Sequence, residues 1–349
     1  MKSFYFLRLS TSTVAAALLL SACGKSEPAA TPAANATTAA AKSLATAPVA
    51  PPTPAAAKPP AGAQEFGIKW AAGKKLRFRM EQTQDSETSV PGLTEPMVQT
   101  TTSAVEYSLT AVMAQPDGGW ELEMEFLRQE IDSKMGKTGL LSFDSAKPVA
   151  EDKDPNAALF RRLVGSRIKC LTDAHGKVRE VEKFDAFLQS VAGTGGPTGA
   201  ATLQSLYSQD SLKELCSVAD SLPDHAVKPG DSWNSRRTMD APPLGKLNVD
   251  QTFTFSAWET HNGRLCAALD YAGSITSSGE VGAVKGMTIK LENGTTAGKA
   301  WFDAARGEMV ENQDQHTLGL KMSAAGQDLA TKIKGHGSLK LLDASTPAK

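Results

Sequence analysis

The feature of this chain that most constrains its fold is a strict alternation of apolar and polar residues. It runs through residues 75–81, where Leu76, Phe78 and Met80 alternate with charged residues, and again through residues 120–126. Successive side chains of a β-strand point to opposite faces of the sheet, so each segment predicts a strand with one apolar and one charged face. Such strands are typical of an antiparallel sheet that is covered on one side only.

Further segments show the same alternation, and two of the hairpins that they form resemble each other. These segments are residues 105–113, 249–257 and 265–271. Asp117-Gly118 and Asn262-Gly263 provide tight turns in the first and the second hairpin. Downstream of each hairpin a Phe-Asp pair closes a strand, at Phe143-Asp144 and at Phe302-Asp303. The repeat predicts two related β-meanders, with bounds 65–150 and 227–343.

Between the meanders, residues 151–222 change to the period of amphipathic helices. One apolar stripe, at i, i+3, i+4 and i+7, consists of Phe184, Phe187, Leu188 and Val191. Asp154-Pro155 is a cap and first-turn pair for an earlier helix. A later helix carries Leu203, Leu206 and Tyr207, and residues 211–214 form a capping box for the last one.

Together these patterns predict an α+β fold that is mainly β. The two antiparallel meanders would form a curved sheet or half-barrel packed on three to four central amphipathic helices, which cover its apolar face. Sheets of this kind resemble the half-barrels of lipoprotein carriers and outer-membrane lipoprotein receptors. That resemblance is an analogy of fold and implies no activity.

The first 22 residues predict export. Lys2 and Arg8 precede a short apolar core, and small residues lead directly to Cys23. This arrangement resembles the lipobox of bacterial lipoproteins, which implies cleavage before Cys23 and acylation of that residue. Two or three acyl chains would hold the protein on a lipid bilayer. Gly24, directly after the cysteine, favours a location at the outer membrane, on its periplasmic side. The alternative to a lipobox is an ordinary signal peptide that is followed by a cysteine by chance.

The mature chain divides into a tether, a folded domain and a short tail. Residues 23–64 are rich in Ala, Pro and Thr and too poor in apolar residues to fold, so they predict a disordered tether. Residues 65–343 predict the globular domain, and 344–349 a flexible tail. The whole sequence has 37 basic and 38 acidic residues, and this balance argues against a nucleic-acid partner.

Three cysteines remain in the domain: Cys170, Cys216 and Cys266. Exported proteins meet an oxidising compartment, so one disulfide is expected. Cys170 shares a strand face with Ile168 and Cys216 lies on an apolar helix stripe, whereas Cys266 points away from its apolar neighbours. These positions favour a disulfide between Cys170 and Cys216. An equally good interpretation is that all three cysteines are buried and reduced.

A sequence motif links the chain to a family. Residues 228–233 read Lys-Pro-Gly-Asp-Ser-Trp and open the second meander. This motif resembles that of a family of bacterial lipoproteins defined only by a domain of unknown function. Physically, Pro229-Gly230 would make a turn, Asp231 would bond nearby backbone amides, and Trp233 would anchor the strand in the core.

No pattern in the sequence predicts catalysis, a metal or a cofactor. Ser166-Arg167-Ile168-Lys169 matches Ser-x-x-Lys but lies in a strand, and Gly230-Asp231-Ser232 lacks the context of a nucleophile elbow. Glu121, Glu123 and Glu125 share one strand face and predict a solvated surface.

We therefore expect a membrane-anchored, non-catalytic binding or structural module with a periplasmic protein as partner. The alternative is a carrier or receptor for a lipid or another apolar small molecule in a half-barrel cavity. A third and weaker hypothesis is that the protein is a hydrolase.

Overall fold

The computed structural model describes residues 58–152, 156–193, 203–204, 207–218, 220, 222–240, 244–277, 281–284, 287–324 and 327–345. Several predictions fall outside these residues: the leader with Cys23, most of the tether, the Asp154-Pro155 cap, and Leu206. They stay predictions.

Within the described residues, thirteen strands form one sheet in which every pairing is antiparallel. In chain order they are β1 Lys75–Ser89, β2 Met97–Ala114, β3 Trp120–Met135, β4 Thr138–Asp144, β5 Arg167–Thr172, β6 Val178–Val181, β7 Ser232–Asp240, β8 Lys246–His261, β9 Arg264–Ser277, β10 Val281–Val284, β11 Met287–Asp303, β12 Glu308–Ala324 and β13 Gln327–Ser345. The main path runs β6-β5-β3-β2-β1-β13-β12-β11-β9-β8-β7, with β4 paired to β3 and β10 to β11.

The two predicted meanders are parts of this single sheet. Strand β1 pairs with β13 along its whole length, from Lys75 opposite Ser345 to Ser89 opposite Ala330. The predicted hairpins are present as β2–β3 and β8–β9. Strand β13 continues to Ser345, two residues beyond the expected end of the domain. Gln64, the last residue of the expected tether, forms a β-bridge with Val227.

The prediction of three to four central helices is wrong. The described part of the chain contains three short α-helices, α1 Ala157–Leu163, α2 Phe184–Ala192 and α3 Gln209–Cys216, and one 3₁₀ turn, Val149–Glu151. None of these helices is long and apolar enough to cross a membrane. Strand side chains make up most of the main apolar cluster, and the three short helices add buried residues to it instead of forming a central layer.

The predicted capping box of α3 is also displaced by one turn. Ser208 is the N-cap, and its hydroxyl accepts a hydrogen bond from the amide of Ser211 at 3.0 Å. The Ser211 hydroxyl in turn accepts one from the amide of Ser208 at 2.8 Å. A Ser-x-x-Ser pair thus does what the sequence analysis assigned to Ser211 and Glu214.

The inner face of the sheet, defined as the face that buries Phe78, carries two separate apolar clusters. The main cluster includes the fully buried side chains of Leu76, Phe78, Tyr107, Phe126, Phe253, Phe255 and Phe302. The second cluster lies toward the opposite ends of the strands and includes Leu247, Val249, Ile275, Leu291, Leu318 and Ile333. Both follow from the alternation, since every second residue of each strand points inward.

The two edge strands of the sheet approach each other, and α3 lies between them. Strands β6 and β7 end the strand order, yet Val178 of β6 and Arg237 of β7 line one cavity of about 30 Å³ together with Glu214 of α3. The sheet is therefore an open one that curls until its ends approach each other, with α3 between them. We call this gap the seam.

Candidate functional site

A row of polar residues and glycines crosses the inner face between the two apolar clusters. Strand register places its members directly opposite one another from β7 to β3: Ser235, Gln251, Gly273, Thr296, His316, Gly335, Gln84, Thr101 and Ser133. On β8, Gln251 lies two residues from Val249 of the second cluster and two from Phe253 of the main cluster. We call these nine residues the polar row.

Four side chains of the polar row are deeply buried and have unpaired polar atoms. Ser235, Gln251, Thr296 and His316 are each at most 4% exposed. The Ser235 and Thr296 hydroxyls, both amide atoms of Gln251 and both ring nitrogens of His316 have no hydrogen-bond partner within the described protein. Leaving such a group unpaired costs about 1–3 kcal/mol, and buried polar groups in native proteins are paired with protein or ordered water. This concentration of buried polar atoms without partners among the described residues makes the row a candidate site for ordered water or a bound molecule.

Glycines make room for the large side chains beside the row. A Cβ atom on Gly335 would lie 2.3 Å from Nε2 of His316, so the imidazole packs directly on the backbone of β13. Likewise, a Cβ on Gly298 would lie 2.3 Å from the hydroxyl oxygen of Tyr271, which donates to Oδ1 of Asn312 at 3.2 Å. The glycines are required by close approach, since neither has a left-handed backbone.

A hollow of about 600 Å³ opens over β1, β13, β12 and β11; most of its lining residues, such as Glu81, Gln313 and Gln315, point to the outer face, and none of the nine residues of the polar row lines it. Four residues of its lining lie two positions from members of the row on the same strands: Gln82, Gly298, Asp314 and Gly337. Oδ2 of Asp314 has no hydrogen-bond partner in the described chain and lies 3.6 Å from Nδ1 of His316. The hollow has the volume of an ordinary small-molecule site, about 300–1,000 Å³.

At the β7 end of the row, charged groups are buried at the seam. Arg237 lies two residues from Ser235, is 5% exposed, and donates from Nη1 to Oε1 of Glu214 at 2.8 Å. Its Nε and Nη2 have no hydrogen-bond partner among the described residues. Burial lowers the pKa of Arg237 to about 10. Burial also raises the pKa of Asp220, which lines the same cavity, well above its usual range.

The cysteines of the domain separate into a pair and a single thiol. Cys170 and Cys216 form a disulfide with their Cα atoms 6.7 Å apart, which joins β5 to the last residue of α3. Cys266 is free and buried on the outer face of the sheet beside Ala268 and Trp301. Burial raises the pKa of the Cys266 thiol to about 12, so it is unreactive as a nucleophile at neutral pH.

The motif at residues 228–233 has the local geometry that its residue types predict. Gly230 has φ +97°, and the carboxylate of Asp231 accepts from the amide of Lys228 at 2.9 Å. Trp233 is buried and stacks on Phe253 with ring centroids 5.9 Å apart. The motif therefore places the start of β7 against the main cluster.

The residues that resemble catalytic motifs make structural contacts. Glu121 pairs with Lys169, and Glu123 and Glu125 pair with Arg167 on the neighbouring strand. The Ser166 hydroxyl donates to the carbonyl of Leu163. These three glutamates form an ion-pair ladder in which their side chains are only 12–30% exposed. No group of His, Cys, Asp and Glu in the described ranges has the arrangement of a metal site.

The sequence analysis missed the polar row, although a signal was present. In β1 the inward positions change from Leu76, Phe78 and Met80 to Gln82, Gln84 and Ser86, while the strand itself continues to Ser89. A search for apolar alternation ends the strand near residue 81. Polar residues that keep the inward phase of a longer strand were the available clue.

Comparison with solved structures finds distant likenesses. A structure of lipovitellin, described for its lipid–protein interactions, has a TM-score of 0.43 at 9% identity; the match covers 80% of this chain, which spans 26% of the lipovitellin chain. A putative exported protein with a YmcC-like fold from Bacteroides fragilis scores 0.24 at 11% identity, covering 82% of this chain and 100% of the other. An outer membrane channel from Pseudomonas putida F1 scores 0.22 at 6% identity, covering 79% and 97%. These likenesses carry no functional argument.

Comparison by sequence identifies the family. No curated protein matches the chain. The sequence model of one family matches residues 117–308, more than half of the chain, from the β2–β3 turn to the start of β12. The matched segment contains the 228–233 motif and the part of the polar row on β3, β7, β8, β9 and β11. The chain belongs to the family of unknown function DUF6263.

Proposed function

We propose that this protein is a membrane-anchored, non-catalytic binding protein of the bacterial envelope that holds a small amphipathic molecule at its polar row. The observation that supports this function most is the set of buried, unpaired polar atoms of Ser235, Gln251, Thr296 and His316. They lie along one line of strand register that crosses the inner face of β7, β8, β11 and β12.

The chemistry of the row indicates the class of ligand. Hydroxyl, amide and imidazole groups offer both donors and acceptors, so they suit a ligand with neutral hydrogen-bonding groups such as hydroxyls or amides. Apolar clusters flank the row on both sides, which suits a ligand that also has hydrocarbon parts. This combination refines the predicted carrier for an apolar molecule into a carrier for an amphipathic one.

The anchor comes from the sequence. Acylated Cys23 would hold the protein on the membrane, and the tether would let the domain stand clear of the lipid surface. An elongated tether of about 40 residues spans on the order of 35 Å on average. The described chain enters the domain at Gln64, whose amide donates to the carbonyl of Val227 at 2.7 Å.

The test is native mass spectrometry of the full mature protein extracted from its own envelope, followed by organic extraction of bound molecules. We expect a stoichiometric adduct in the wild type that is lost in Thr296→Val, which removes one hydroxyl of the row. The matched control is Thr252→Val, because Thr252 lies on the outer face of β8 and bonds only to Asn234 there. A wild-type protein free of adducts, with water at the row in a crystal structure, would refute the proposal.

A further inference from the structure

Helix α3 is attached to the two ends of the sheet in two different ways. On the β5–β6 side the attachment is covalent, through the Cys170–Cys216 disulfide, and Nε2 of Gln209 donates to the carbonyl of Val181 at 3.4 Å. On the β7 side it is electrostatic, through Glu214 and Arg237 at 2.8 Å. An isolated helix of eight residues is too short to be stable in water, so these attachments hold it in place together with the burial of Leu212 and Leu215 in the main cluster.

The seam under α3 is closed but loosely filled. The cavity between α3, β6 and β7 has about 30 Å³, enough for roughly two water molecules. Asp220 and Arg237 both line it, both are deeply buried, and both have polar atoms without a hydrogen-bond partner among the described residues. Because of this cavity, the two ends of the sheet make fewer packing contacts here than they would in a filled interior.

The seam also leads directly to the polar row. Arg237 and Ser235 are successive inward residues of β7, and Ser235 is the first member of the row. Moving α3 away from β7 would therefore uncover the row from this end, while the disulfide would keep the helix attached to β5.

We infer that α3 is a gate to the ligand site. The Cys170–Cys216 disulfide is its hinge, and the Glu214–Arg237 ion pair holds it closed. This inference rests on the proposed function for the identity of the site, but the opening of the gate is a property of the protein alone. Breaking the ion pair leaves a buried charge without its partner, so the closed state loses more than the open one.

The experiment is hydrogen exchange of the full mature chain, comparing wild type with Glu214→Gln. We expect amide exchange in α3, β6 and β7 to rise at least about tenfold in the variant, and exchange in β12 and β13 to stay unchanged. The control is Glu123→Gln, which breaks an exposed ion pair of the same kind with Arg167. Unchanged exchange at the seam, or a uniform rise across the whole sheet, would overturn the inference.

Rescue and ligand release separate this inference from the proposed function. Exchanging the charges in Glu214→Arg/Arg237→Glu should restore slow exchange at the seam. If the wild type contains the adduct, Glu214→Gln should release it faster. Faster seam exchange in a protein without an adduct would support the inference that α3 is a gate and would refute the proposed function. Release of the adduct from Glu214→Gln at the wild-type rate would refute only the inference that α3 is a gate.

Discussion

The imidazole of His316 lies against the backbone of Gly335 on the neighbouring strand, at a distance that leaves no room for a Cβ atom. The two residues are directly opposite each other in the β12–β13 pair, so the glycine provides the space that the histidine ring occupies. This contact holds a buried, unpaired side chain at the centre of the polar row, although an aliphatic residue would fill the same space without unpaired polar atoms.

Gly335→Ala is expected to destabilise the protein by about 1–3 kcal/mol, because the new methyl group overlaps the ring of His316. Urea unfolding followed by circular dichroism measures the loss. In the double variant Gly335→Ala/His316→Ala the overlap is gone, so the two changes should be strongly non-additive.

Gly139→Ala is the matched control for this cycle. Gly139 also lies in a strand, and a Cβ there would meet nothing within 4 Å. It should leave the midpoint of unfolding nearly unchanged. Equal losses at the two glycines would mean that the imidazole does not occupy this position in solution.

Relative to wild type, Asp220→Asn is expected to gain stability as the pH rises from acidic to neutral. Burial raises the pKa of Asp220, so the folded protein keeps this proton over a pH range in which the unfolded chain loses it. The contribution of Asp220 to wild-type stability therefore falls as pH rises from the ordinary aspartate pKa of about 3.9 toward the raised pKa of the folded state, by about 1.4 kcal/mol per pH unit. Below that pH both states are protonated and the group contributes nothing.

Denaturant unfolding of wild type and variant across this pH range gives the difference directly. Asp117→Asn is the control with the opposite sign. A hydrogen bond from the Gly119 amide, together with the pairing to Arg179, lowers the pKa of Asp117, so its contribution is present at neutral pH and disappears as pH falls. Parallel curves for Asp220→Asn and wild type would show that Asp220 is ionised in the fold.

The alternation of residues was sufficient to identify strands and their inward faces. Phe78, Met124 and Phe255 were all assigned to apolar strand faces, and all three are fully buried. Alternation is a local property that each strand displays by itself, so it can be read without knowing any partner.

Strand pairing and helix packing could not be read in this way. The pairing of β1 with β13 joins residues more than 200 positions apart and depends on how the intervening strands curl. The short amphipathic segments looked like central helices because their apolar stripes are real, with Phe187 and Leu188 buried in the main cluster. The stripes do not reveal that strand side chains already fill most of the interior.

Phe78→Ala is expected to cost about 3–5 kcal/mol, because the ring is completely buried in the main cluster and tilts against Tyr107 at 5.7 Å between ring centroids. Arg77→Gln, one residue away, is expected to cost less than about 1 kcal/mol. Arg77 pairs with Glu106 and Asp343 on the outer face, but its side chain is 41% exposed, so water screens these pairs. Thermal unfolding of both variants measures the contrast, and similar losses would place the β1 register one residue out of phase.

Cys23→Ala is expected to abolish labelling of the protein by a palmitate analogue in growing cells and to move it from the membrane to the soluble fraction. In the proposed function the leader would direct export and Cys23 would accept the acyl chains, so the substitution would remove the anchor and leave the domain from residue 65 onward unchanged. Cys266→Ala is the matched control, since this thiol is buried in the fold and should not affect labelling. Labelling that persists in Cys23→Ala, or a wild-type protein found only in the soluble fraction, would show that the lipobox resemblance is a coincidence.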